Sequence, residues 1–197
     1  DVERSRGLGD VYKRQWLGGM SGASAVILGI VLGLMMCSDL GGPINKAAYL
    51  FATTNLAVTN VGSLKVMAAV MAAGMVPPLA MALSTTLRPK LYQPAERENG
   101  TAAWLLGASF ISEGAIPFAA ADPLRVIPSM MVGGAITGAL SMALGAASKA
   151  PHGGIFVFFA IDRVWAFILA IVVGTLVAAL LVTALKASAR RKAAAAA

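Results

Sequence analysis

Long apolar runs without a charged residue are the feature that most restricts how this chain can fold. Windows free of Asp, Glu, Lys and Arg lie at residues 16–38, 47–64, 66–87, 99–112, 126–148 and 164–185. A helix needs about 20 apolar residues to cross the hydrocarbon core of a bilayer, where backbone polar groups must be satisfied internally. The windows therefore predict an all-α integral membrane protein.

Composition and charge agree with a membrane location and argue against nucleic-acid binding. Of the 197 residues, 58% are hydrophobic and 13% are charged, against about half and about a quarter in soluble domains. The net charge of +7 comes from Lys and Arg residues spread over short connections between the apolar runs, which form no basic face. We therefore interpret the basic residues as signals of membrane topology, and the lipid bilayer as a partner.

The six windows differ in how regular they are. Four are long enough for complete spans: Trp16–Cys37, Val66–Leu83, Pro128–Ala147 and Val164–Leu185. The other two are interrupted by glycine, proline and polar residues, with "DLGGPINKAAY" at 39–49 and "SEGAIPF" at 112–118. Irregular backbone at membrane depth survives only where protein or a water-filled cavity covers it. We therefore predict about four transmembrane helices and two re-entrant hairpins, at residues 39–61 and 102–121.

The distribution of basic residues predicts an orientation for these segments. Lys186 and the basic residues after it place the end of Val164–Leu185 in the cytoplasm. When the chain is followed from there towards its N-terminus, Pro128–Ala147 and Trp16–Cys37 are both predicted to run outward. The two hairpins are then predicted to enter from opposite faces in an inverted arrangement. Glycines spaced by four predict close helix contacts, at Gly18/Gly22, Gly29/Gly33 and Gly134/Gly138.

The two ends of the chain differ from the apolar part. Residues 1–15 are polar and resemble peptides translated from adapter sequence, so we expect a non-native leader that takes no part in the fold. Residues 187–197 are basic and rich in alanine, which predicts a cytoplasmic tail. The sequence has no Gly-rich phosphate loop and no cluster at metal-ligand spacing, so we predict no cofactor and no metal.

Glu113 is the strongest candidate for chemistry. A carboxylate in an interrupted membrane segment is costly to keep there, and is a functional hypothesis by default. Desolvation disfavours its charged form, which would let it accept a proton from a substrate hydroxyl. The alternative is a structural carboxylate that caps the backbone freed by Gly114 and Pro117.

Other polar residues are candidates for structural or binding roles. Asp122 and Arg125 are three apart and could form an ion pair that, with Pro117, holds the exit of the second hairpin. The candidate substrate-binding residues are Asp39, Gly42, Asn45, Lys46, Asn55, His152 and Gly153. The alternatives are that the segment around Asp39 is an ordinary polar loop and that His152 is a surface or packing residue.

Three motifs give the chain a family resemblance. "GGPINKAAY", "ISEGAIPFAAADPLRVIPS" and "APHGGIFVFF", in this order and spacing, resemble the membrane component IIC of fructose-specific phosphoenolpyruvate-dependent phosphotransferase systems. The resemblance covers nearly all of residues 16–186, and implies that this part is the C-terminal, substrate-binding half of a IIC permease domain.

The resemblance implies group translocation in the cytoplasmic membrane of a bacterium. Fructose would be bound outside, carried across by an elevator-like movement and phosphorylated by a phosphocysteine on the IIB partner, with IIA and HPr upstream and a homodimer as the full-length form. Glu113 would act as the catalytic base. Two alternatives stay open: an ion-coupled secondary sugar transporter, with Glu113 or Asp122 carrying a proton, and an inert gene fragment.

Overall fold

The computed structural model describes residues 22–54, 56 and 60–195. Within them the α-helices are α1 (Ala23–Ser38), α2 (Pro43–Thr54), α3 (Val61–Leu87), α4 (Pro94–Ala108), α5 (Ile116–Ala121), α6 (Pro123–Leu144) and α7 (Val164–Ala195). Short 3₁₀ helices occupy Pro89–Leu91, Ser112–Ala115 and Gly154–Ala160. Two-residue strands β1 (Ala147–Ser148) and β2 (Ile161–Asp162) pair antiparallel.

Among the residues that the structure describes, three helices, α3, α6 and α7, are long and apolar enough to cross a membrane. This confirms a helical multi-pass membrane protein. The predicted span Trp16–Cys37 is different, because its described part is α1, whose 16 residues measure about 24 Å. That is less than the roughly 30 Å of a hydrocarbon core. Residues 16–21 lie outside the described residues.

Helix ends also differ from the sequence predictions. Pro123, not Pro128, occupies the first turn of α6, and Pro128 lies inside the helix. Helix α4 begins at Pro94, eight residues before the predicted hairpin at 102–121, because Gln93 and Glu96 form a capping box there. Helix α7 continues to Ala195, so it includes most of the residues predicted as a separate tail.

Glycines bring α1 and α6 into backbone contact. A side-chain carbon at Gly33 would overlap the carbonyl oxygen of Gly134, and one at Gly29 would overlap that of Gly138. The structure thus brings together two of the glycine pairs found in the sequence. Because Gly29 pairs with Gly138 and Gly33 with Gly134, the two helices run antiparallel. The predicted common direction of these two segments is therefore wrong.

The centre of α3 is the point on which the rest of the fold converges. Pro77 and Pro78 lie inside this helix and have no backbone N–H, so the carbonyls of Ala73 and Gly74 lose their helical donors. Cys37 Sγ, at the end of α1, donates to the Ala73 oxygen at 3.4 Å. Ser112 Oγ, after α4, donates to the Gly74 oxygen at 2.8 Å. The two prolines therefore create acceptors that the two interrupted segments satisfy.

This geometry corrects the predicted hairpin boundaries. The break at residues 39–42 is the tip of a helix pair formed by α1 and α2, not the entry to a hairpin at 39–61. Likewise α4 and α5 form the arms of a second pair, whose tip is 109–115. Gly100 packs on Thr85 and Gly107 on Leu79, so α4 runs antiparallel to α3 towards its centre. The two tips meet beside the middle of α3.

We expect Ser112→Ala to lower the free energy of unfolding by about 1–3 kcal/mol, because the buried Gly74 carbonyl would be left without a donor. Adding Pro78→Ala should recover most of this loss, since the new residue supplies the missing N–H. Ser109→Ala is the control, because Ser109 makes an exposed bond to Leu105. Thermal unfolding in lipid nanodiscs would measure all three. A double variant no more stable than Ser112→Ala would contradict the assignment.

Candidate functional site

A cavity of about 180 Å³, lined by both polar and aromatic side chains, lies where the two helix-pair tips meet. This is smaller than the roughly 300–1,000 Å³ of pockets for drug-sized ligands, so it suits a small solute. Helix α2, the tip of α4–α5 and the loop after β1 all contribute. The lining residues are Asn45, Lys46, Tyr49, Phe110, Ser112, Glu113 and His152.

Asp39 organises the first tip without lining the cavity. Its two carboxylate oxygens accept hydrogen bonds from the backbone N–H groups of Ile44, at 2.7 Å, and Asn45, at 2.9 Å. It therefore caps the start of α2, where an acidic group also complements the helix dipole. The Asn45 amide nitrogen donates to the Met36 carbonyl at 2.6 Å and joins α2 to the end of α1.

Glu113 lies on the second tip and contacts the first. A side-chain carbon at Gly41 would come within 2.6 Å of Glu113 Oε1, so a larger residue there would displace the Glu113 side chain. Gly41 also has a φ of 107°, which favours glycine. From its place in an apolar segment, we expected Glu113 to be desolvated. In the part of the chain that the structure describes, however, Glu113 is exposed.

Phe110 ends α4 in an unusual backbone conformation. Its φ is 64°, which costs a residue with a side chain roughly 1–2 kcal/mol. The N–H of Phe110 donates to Gly107 at 3.1 Å and that of Ile111 to Leu106 at 2.9 Å, closing the helix end in a position that glycine usually occupies. The strained turn directs the Phe110 ring between the centre of α3 and the cavity.

His152 reaches the cavity from the loop between β1 and β2. Its ring centroid lies 5.0 Å from that of Phe110 and 6.3 Å from that of Tyr49. The loop approaches closely because Gly154 packs on the Ala108 carbonyl with no room for a side chain. The structure therefore brings His152 to the same cavity as Glu113.

The predicted site residues divide into three groups. The cavity is lined by Glu113, Asn45, Lys46 and His152. Asp39, Gly42 and Gly153 are close by but are not among the lining residues, and Asn55 lies outside the described residues. Sequence reasoning missed Tyr49, Phe110 and Ser112. Tyr49 follows Asn45 by one helical turn, a spacing that could have revealed it.

A second, larger cavity of about 580 Å³ lies at the other end of α5. Here Arg125 Nη1 is 2.9 Å from Asp122 Oδ1, and Lys186 Nζ is 3.2 Å from Glu96 Oε1 and 4.0 Å from Asp122 Oδ2. The Lys186 ammonium also lies 4.4 Å from the centre of the Tyr92 ring. These ion pairs connect α4, α6 and α7. Pro117, which we predicted to act with Asp122 and Arg125, lies in the first turn of α5.

Tyr92 continues this network with hydroxyl groups. Ser84 Oγ lies 2.6 Å from the Tyr92 hydroxyl and 2.6 Å from Thr183 Oγ1, which links α3, the start of α4 and α7. Burial raises the pKa of Tyr92 to about 12, so the hydroxyl stays protonated at neutral pH.

We expect Asp122→Asn to lower the free energy of unfolding by about 1–2 kcal/mol, with near-normal turnover for each folded molecule. Lys186 is only 10% exposed and would lose one of its two carboxylates, while Arg125 would lose its partner. Asp162→Asn is the matched control, because its pair with Lys149 is about half exposed and should contribute less than about 1 kcal/mol. Thermal midpoints compare the two. Equal shifts, or turnover lost with unchanged stability, would contradict a structural role.

Fold and cavity together define a class. This is a multi-pass helical membrane protein with a small cavity, lined by polar and aromatic side chains, between two interrupted helix pairs. Transporters use this arrangement for solute sites. Relatives agree with this class. The chain is 55% identical over 174 residues to the PTS system fructose-specific EIIB'BC component of Escherichia coli (strain K12), covering 87% of this chain and 30% of that protein.

Two further relatives are named for the IIC component alone. The chain is 51% identical over 165 residues to the PTS system fructose-specific EIIC component of Haloferax volcanii, covering 84% of this chain and 43% of that protein. It is 42% identical over 175 residues to the Fructose permease IIC component of Bacillus amyloliquefaciens, covering 89% and 56%. This identity over most of the chain shows that it matches the C-terminal IIC part of fructose-specific phosphotransferase-system (PTS) components.

The match to these relatives covers only part of their length. The chain spans less than a third of the length of the Escherichia coli relative, and little more than half of the length of the Bacillus amyloliquefaciens relative. No protein-family model matches the chain, and no solved structure matches it.

Proposed function

We propose that the chain is the substrate-binding part of a fructose permease of the phosphotransferase system. The observation that carries the proposal is the cavity, in which a carboxylate, an ammonium group, an amide and an imidazole meet at the tips of two interrupted helix pairs. These groups can bind several hydroxyls of one small polar solute. The relatives named for fructose uptake support the choice of sugar.

In the proposed reaction, Glu113 accepts the proton of the fructose hydroxyl that becomes phosphorylated. The hydroxyl oxygen attacks the phosphorus of the phosphocysteine on IIB. The new P–O bond forms as the P–S bond breaks, and the thiolate stays on IIB. The exposed Glu113 carboxylate is reachable by such a partner, and Lys46 provides a positive charge in the same cavity.

The helix pairs α1–α2 and α4–α5 would act as two re-entrant hairpins from opposite faces of the membrane. Support comes from their tips, which meet at the centre of α3 and satisfy its two free carbonyls. Alternating access would then move this site as one unit between the two faces. We further propose a bacterial cytoplasmic membrane, a phosphorylated IIB partner with IIA and HPr upstream, and a homodimer for the full-length permease.

The experiment uses a chimaeric permease in which this segment replaces the matching segment of the Escherichia coli relative. Membrane vesicles that contain it are given labelled fructose and phosphorylated IIB. We expect fructose phosphate inside the vesicles. Free fructose that accumulates under a proton gradient without phosphorylation would instead support an ion-coupled transporter. The unchanged relative and a chimaera with a scrambled α4–α5 segment are the positive and negative controls.

A further inference from the structure

The cavity has one wall of aromatic rings that the proposed chemistry does not explain. Phe110, Tyr49 and His152 come from three segments that are distant in the sequence. The Phe110 and Tyr49 centroids are 6.1 Å apart, and each ring also contacts the His152 ring. Phe110 is only 5% exposed, whereas His152 is exposed at the cavity. Phe110 is therefore placed to contact the histidine more than the solute.

The position of the Phe110 ring is restricted from behind. A side-chain carbon at Gly74 would overlap the edge of this ring and come within 2.8 Å of Met36 Cε, so the ring lies directly on the backbone of α3. Its backbone is held in the left-handed turn at the end of α4. With both the back of the ring and the backbone held, the front of the ring provides a rigid surface for the His152 imidazole.

We infer that Phe110, together with Tyr49, is a positioning residue that holds His152 in the orientation in which it binds the sugar. This rests on the proposed function, because it assigns a role within the same site. The strained Phe110 turn is explained by this task, since a glycine would relieve the strain but would leave the imidazole unsupported. Loss of the Phe110 ring should therefore weaken sugar binding through His152 and leave the Glu113 step unchanged.

A double-mutant cycle in the chimaeric permease tests this. Phe110→Leu should raise the KM for fructose about 3- to 10-fold, as expected for the loss of one aromatic contact, with kcat unchanged. In a His152→Ala background, Phe110→Leu should raise KM by less than about twofold. Phe118→Leu is the matched control, because Phe118 is fully buried, contacts Tyr92 and does not line the cavity. It should lower folded yield without coupling to His152.

The outcomes separate this inference from the proposed function. An unsubstituted chimaera that phosphorylates no fructose would overturn the proposed function and, with it, the positioning role. An active chimaera in which Phe110→Leu and His152→Ala act additively, or in which His152→Ala leaves KM unchanged, would overturn the positioning role alone. If Phe110→Leu does not fold, Tyr49→Leu removes the other ring contact of His152, and the same cycle decides the question.

Discussion

Replacing Glu113 by Gln is expected to lower phosphoryl transfer to fructose by about 10²- to 10⁴-fold, the usual contribution of a general base. The amide keeps the size and hydrogen-bonding reach of the side chain but cannot accept the hydroxyl proton. Sugar binding should therefore fall much less than transfer. The measurement is the rate of transfer from phosphorylated IIB, normalised to folded chimaeric permease, beside equilibrium binding of labelled fructose.

Glu98→Gln is the matched control for this result. Glu98 is also an exposed carboxylate, but it lies on α4 and does not line the cavity. It should retain transfer within about twofold. Near-normal transfer by Glu113→Gln would remove the catalytic assignment. It would leave Glu113 as the tip residue that packs against Gly41.

The largest structural effect is expected for Gly33→Val, which should prevent stable folding of the chimaeric permease. The added side chain would overlap the backbone of Gly134 and not a movable side chain, so α1 and α6 would have to separate. Overpacking a core commonly costs about 1–3 kcal/mol, and we expect the upper end of this range or more. Folded yield and thermal midpoint after solubilisation measure the effect.

Val31→Ile provides the comparison for Gly33→Val. Val31 lies on the same helix, but 45% of it is exposed. Added volume there should change the midpoint little, since it does not enter a helix contact. Stable, monodisperse Gly33→Val protein would show that the backbone contact between α1 and α6 is not needed. That outcome would also argue against the contact between the end of α1 and the centre of α3.

Hydropathy identified the membrane class, because apolar length is a local property of the chain. It could not show where along α3 the helix α1 ends. The run before Asp39 is apolar throughout, yet α1 ends beside Ala73, near the middle of α3. Window length alone does not show which helix a segment packs against, or in which direction. The predicted direction of the first segment was wrong because the sequence does not reveal that α1 packs antiparallel to α6.

Some residues of the site could be found from the sequence, and others could not. Glu113 could be found in the sequence, because a carboxylate beside Gly and Pro in an apolar run is unusual at any position. Asp39, which we predicted as a binding residue, caps the backbone N–H groups of Ile44 and Asn45 across a four-residue break, a contact that the sequence does not reveal. Phe110 was missed, because a single aromatic residue in an apolar segment gives no signal.

The sequence by itself determined the apolar spans, the glycine pairs, the two interruptions and the presence of Glu113, because each depends on residues that are near one another in the chain. Only the tertiary structure decided which groups meet. Pro77 and Pro78 free two carbonyls on α3, but nothing local shows that Cys37 and Ser112 become their donors. That pairing places the two tips together, and so forms the cavity that contains both Glu113 and His152.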